Sequence, residues 1–242
     1  MDLPEIVNVV IQHADLFYQE SRKPDHACDL EWEHCYESFC QAIRNGDLSP
    51  ETVEWLTLHL TVYLSLYGMY RRSSFLTFSD SRIHQGAVEV ILEERYRGLL
   101  ALTSDRYEEQ ADILQDLIER LDRYYRPLRN EIVIRNQQEK HIPEKEPVSQ
   151  VSGTLISKIL LGTLGCVPAY DEYFTKGIEG IAGKTFGMSS IGKIYSFYRN
   201  HESVIDAERS RMKIPESGII YPPMKYLDMG FWHCGKYGKI SE

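Results

Sequence analysis

The chain's most chemically suggestive residue is Asp171, at the end of the corner Val167-Pro168-Ala169-Tyr170-Asp171. A carboxylate beside Tyr170 and Tyr173, directly after an apolar segment, suits one of two jobs. It can cap a new helix by accepting its first backbone N–H groups, or it can stabilise positive charge that develops in a reaction. Lys158, in the preceding apolar segment, is a candidate nucleophile or phosphate contact. Its bland alternative is a lysine that lays its stem on apolar surface and keeps its head in water.

The segment that must position these groups is Thr154 to Gly165, inside Val151 to Phe174, the most apolar window of a polar chain. It reads as a buried helix introduced by Val151-Ser152-Gly153. A helix start of this kind offers backbone N–H groups to anions. Ser152, Gly153, Thr154 and Ser157 are therefore candidate phosphate contacts, with Lys184 in the later glycine-containing stretch Gly177 to Lys184. That stretch echoes a phosphate loop, but its spacing is one residue too long and no strand precedes it.

The hairpin, apolar helix and Pro/Val-Asp corner together resemble the core of the helix-hairpin-helix DNA glycosylase superfamily. Val151 stands where the first hairpin glycine is expected, and Leu155 where bifunctional members carry their lysine. The resemblance covers about two dozen of 242 residues. It implies two helical lobes with a helix-hairpin-helix element and a cleft between them. It also implies double-stranded DNA as partner, an extruded base and Asp171 as catalytic carboxylate; because the cysteine spacing matches no zinc or cluster pattern, no cofactor or metal is expected. Tyr70, Arg71, Ser73, Ser74, Phe75, Tyr170 and Trp232 are the candidate base pocket. An unusual base, such as a modified base of phage DNA, is the implied substrate, with phage defence as the setting.

Composition bounds these readings. The chain carries 27 Lys and Arg against 36 Asp and Glu, a net charge of −9 that disfavours indiscriminate nucleic-acid binding. The excess acid is confined to residues 1–151, with 16 basic and 27 acidic side chains, whereas residues 152–242 hold 11 and 9. Five cysteines, odd in number and without a CxxC pair, point to free thiols in a reducing, cytoplasmic setting. No apolar run approaches a membrane span, and the N-terminal residues lack the basic start of a signal peptide.

Helical periodicity predicts a mostly α fold, with helices over residues 3–22, 30–44, 50–70, 87–102, 105–125, 190–200 and 202–212, and a Pro-primed helix after Tyr221. The 50–70 helix is apolar nearly all round, which predicts the centre of the first lobe. Residues 136–150, polar with two prolines, read as a linker. The expected organisation is therefore an N-terminal lobe over 1–135 and a C-terminal lobe over 151–242.

Two rival functions follow from other features. Arg135 and His141 have a spacing that resembles the Arg-to-His motif of HEPN-type ribonucleases, which are helical and metal-independent. The net charge of −9 also suits a non-catalytic helical interaction protein.

Overall fold

The computed structural model describes residues 3–71, 74–140 and 147–238, without the side chains of residues 3–5 and 27–29. Among the described residues there is no strand, only an isolated bridge between Lys213 and Ile220. The helices are α1 (Leu3–Ser21), α2 (Glu31–Asn45), α3 (Pro50–Leu66), α4 (Gln85–Ile91), α5 (Ser104–Glu139), α6 (Gly153–Thr163), α7 (Glu172–Gly177), α8 (Met188–Arg209) and α9 (Pro223–Tyr237). Short 3₁₀ turns link several of them. The mostly α class expected from periodicity is what the chain adopts. None of the described helices is long and apolar enough to cross a membrane.

Two helices supply the centre. Every residue of α6 from Leu155 to Thr163 is buried, and so is every residue of α9 from Pro223 to Phe231. Buried side chains from residues 1–135 and from 151–242 belong to the same hydrophobic cluster, for example Trp32 and Tyr63 with Leu160 and Phe231. Trp32 stacks on Tyr36 and donates its indole N–H to the Leu161 carbonyl at 2.9 Å, so α2 is fixed on α6 by one directional bond within an apolar contact. Arg22, Glu33 and Tyr221 form a further tie among α1, α2 and the entry to α9, with Glu33 buried beneath the arginine.

α3 is not the central helix that its composition predicts. Trp55, Leu58, Val62 and Leu66 are all exposed, and their spacing of three, four and four residues places them along one outer stripe. Leu56, Leu60, Tyr63 and Leu64 form the inner face. The predicted helix over 87–102 also divides. It breaks after α4 because Glu93 takes an extended backbone and turns its carboxylate onto Arg120. α5, in contrast, continues past residue 125, through Pro127 and four residues into the stretch read as linker. The segments expected over 190–200 and 202–212 are one helix, α8, with a kink at His201.

Close helix crossings fix where α7 and α9 lie. A Cβ on Gly177 would stand 1.8 Å from the Phe231 carbonyl oxygen, and one on Gly235 would stand 1.8 Å from the Tyr173 carbonyl oxygen. Only glycine permits backbones to approach this closely. Gly165, just after α6, has φ +62 and sits against Pro222, so glycine is required there by both conformation and space.

Candidate functional site

The corner between α6 and α7 is held by its own backbone and by three side chains. Ala169 N–H donates to Asp228 Oδ1 at 2.8 Å, and Tyr170 N–H donates to Ser157 Oγ at 2.9 Å. Thr154 Oγ1 donates to the Tyr170 carbonyl at 2.8 Å. The buried peptide groups of the corner are thereby satisfied by α6 and α9, which leaves the Asp171 side chain set at a defined place.

Asp171 caps α7 with one carboxylate oxygen and sets the other beside Lys158. Oδ1 accepts the N–H groups of Tyr173 and Phe174, at 3.1 and 3.0 Å, and so caps α7. Oδ2 lies 3.7 Å from Lys158 Nζ. Lys158 is 7% exposed and donates to the Tyr67 carbonyl at 2.7 Å. Burial pushes its amine below the ordinary lysine range, opposed by the charges of Asp171 and Asp228.

Both groups line a cavity of about 200 Å³. Phe17 of α1, Leu66 at the end of α3, and Tyr67 and Arg71 beyond it form one side. Tyr173 and Trp232 form another, and Trp232 packs edge-on against both Tyr173 and Phe17 at 5.3 and 5.5 Å between centroids. A second lysine–aspartate pair completes the lining: Lys225 Nζ lies 3.5 Å from Asp228 Oδ2, one turn apart on α9. Asp228 is buried, and desolvation first, with the neighbouring Asp171 charge adding to it, raises its carboxyl to about 6 despite the opposing Lys225. Two carboxylates and three cations thus meet around one space whose remaining walls are largely aromatic.

No family model, curated protein or solved structure matches the chain. The residues around this cavity therefore carry the functional reading.

The sequence-derived candidates divide clearly. Asp171, Lys158, Arg71 and Trp232 are brought together at the cavity. Tyr70 turns away: its hydroxyl meets His84 Nε2 at 2.8 Å, while His84 Nδ1 meets Tyr125 OH at 2.7 Å, and burial lowers this imidazole to about 3. Ser74 caps the 3₁₀ turn at Phe75 by accepting the Leu76 N–H, and Phe75 packs against the core. The Tyr170 ring sits between Phe174 and Phe186, with its hydroxyl donating to Ser190, behind the wall that its neighbours Ala169 and Asp171 form. Ser73 lies outside the described residues.

The expected phosphate grip is also differently employed. Ser152 is the N-cap of α6, accepting from Leu155 N–H. Gly153 begins the helix with ordinary helical backbone, and Phe186 covers the place where its Cβ would stand. Thr154 and Ser157 are occupied with the Tyr170 peptide, and Lys184 is exposed with Glu179 at 2.8 Å. The turn over Val151–Gly153 is thus a capped helix start that follows α5 after thirteen intervening residues, 140–152. Arg135 lies on α5, and His141 falls outside the described residues.

Sequence reasoning passed over Lys225 and Asp228. A signal was present, since they are the two charges inside the otherwise apolar run Pro223 to Phe231.

Proposed function

We propose that the chain is a DNA glycosylase acting on an unusual or modified base, with the Lys158–Asp171 cavity as its active site. The observation that carries this reading is the 3.7 Å pairing of a buried lysine with a carboxylate in a cavity whose walls are aromatic. Excision of a base needs a place for the extruded ring and a negative group beside the sugar it leaves. Tyr67, Tyr173 and Trp232 give the ring flat surfaces.

As the glycosidic bond breaks, its electron pair leaves with the base and positive charge builds at C1′ and the ring oxygen. Asp171 Oδ2 stabilises that charge at close range in a site of restricted solvent. A nucleophile then adds to C1′, either water or the Lys158 amine. Burial favours the neutral, nucleophilic form of Lys158. The departing base takes up a proton.

The test is formation of alkali-labile sites across a panel of duplexes, each carrying one modified base. Wild type is expected to produce them. Borohydride should trap a covalent adduct through Lys158 if the amine is the nucleophile, and none if water is. Absence of alkali-labile sites on every duplex would overturn the reading.

A further inference from the structure

The inner end of the cavity holds a cation with unused hydrogen-bonding capacity. Lys225 is 2% exposed, and its Nζ makes no hydrogen bond to any described protein group. Its charge is balanced in two ways that leave the N–H groups free. Asp228 Oδ2 lies 3.5 Å away, beyond a good charge-assisted hydrogen bond. The rings of Phe17, Trp32 and Tyr67 surround the ammonium at 5.3, 5.0 and 5.7 Å from their centroids. Cation–π attraction acts on the charge as a whole and does not consume donors. Asp228, which also lines the cavity, spends Oδ1 on the Ala169 N–H and has Oδ2 beside Lys225.

A merely structural role explains this arrangement poorly. A buried ion pair without good hydrogen bonds is commonly neutral or unfavourable compared with apolar residues of the same size. Nearby apolar residues of α9 already fill this core. A buried ammonium is a donor-only group, and it gains most from a carbonyl oxygen, where partial negative charge is concentrated. The acceptor beside it suits an N–H. In a lactam the two groups are adjacent.

We infer that Lys225 and Asp228 are the specificity pair of this cavity: Lys225 donates to a carbonyl oxygen of the entering base and Asp228 accepts the neighbouring ring N–H. The inference rests on the glycosylase reading for its setting and names its substrate class. The substrate is a keto base, bearing a lactam edge, as in uracil, hypoxanthine or an oxidised purine. Adenine has no oxygen and is rejected because it would leave the buried ammonium unpaired.

Two measurements test this on the full chain, with wild type, Lys225→Met, and the double variant Lys225→Met/Asp228→Asn. The double variant removes both charges together and keeps an acceptor for the Ala169 N–H, so its melting temperature should stay close to that of wild type. The first measurement is the affinity of free uracil, hypoxanthine and adenine by ligand-observed NMR. The second is base release from duplexes carrying uracil, hypoxanthine, 8-oxoguanine or adenine.

Wild type should favour the keto bases in both measurements. The double variant should lose roughly 10- to 100-fold of that preference, the scale of one charged hydrogen bond. Keto-selective binding that needs Lys225, without release from any duplex, would uphold the specificity pair and defeat the glycosylase reading. Release that shows no keto preference, or a preference unchanged in the folded double variant, would overturn the pair and leave the glycosylase reading standing. Neither binding nor release would overturn both.

Discussion

Two lysine–aspartate pairs face one cavity and differ in how water and protein satisfy them. Lys158 and Asp171 retain side-chain exposures of 8% and 22%, and both charges have hydrogen-bond partners, a carbonyl for the amine and two amides for the carboxylate. Lys225 and Asp228 are at 2% and 8%, and the ammonium has aromatic faces in place of acceptors. The outer pair is organised as a fold would organise it and still offers Oδ2 to the cavity. The inner pair is less well satisfied than stability alone would select. Partial satisfaction of a buried charge is what sets the inner pair apart from the outer one.

Breaking the inner pair on one side should have the largest effect on stability. Lys225→Met leaves Asp228 as an isolated buried carboxylate, a change that costs about 3 kcal/mol or more. Urea unfolding at pH 8 should show that loss, and at pH 5, where Asp228 takes up a proton, most of it should disappear.

Asp228→Asn should reveal the complementary pH dependence. The Asp228 carboxyl is raised from 3.8 to about 6 in the folded chain. The proton it holds favours the folded state, so this contribution is complete below the unfolded value of 3.8 and is lost as pH rises through 6. Linkage sets the difference between pH 4 and pH 7 at about 2–3 kcal/mol. Wild type should lose that much relative to Asp228→Asn, measured by denaturation across the range.

A smaller effect is expected where α7 crosses α9 and brings the two pairs together. Gly177→Ala places a methyl against the Phe231 carbonyl. Overpacking of this kind costs about 1–3 kcal/mol, and separation of the helices should lower base release more than the loss of folded protein explains. Ser157→Ala is the mildest change. It leaves the buried Tyr170 N–H without its acceptor, at a cost of about 1 kcal/mol or somewhat more, read as a lower melting temperature.

The residues of the outer pair stood out in the sequence, whereas the inner pair left only the sign of two charges in an apolar run, for physical reasons. An apolar run followed by a Pro-containing corner and a carboxylate fixes α6 and Asp171 through local rules of helix formation and capping. Lys225 and Asp228 gain meaning only when α9 lies against α1 and α7, and that contact depends on Gly177, Gly230 and Gly235, far apart in the chain or unremarkable in context. Tyr70 and Phe75 misled for a similar reason. They follow α3 beside Arg71, which does line the cavity, but the chain turns at Gly68 and sends Tyr70 to His84. The apolar content of α3 predicted burial on all sides, whereas Trp55, Leu58, Val62 and Leu66 show that one face stays outside.

The most direct test of the active-site reading is release of free base, followed by mass spectrometry, from duplexes with modified bases by wild type and Asp171→Asn. Asparagine is itself a good N-cap, so the variant should remain folded with a melting temperature near that of wild type. The account predicts release by wild type and a loss of about 10²- to 10³-fold in the variant, the scale of removing one preorganised electrostatic group. Equal release by the two folded proteins would contradict it, as would release by neither, and Asp171 would then be a helix cap alone.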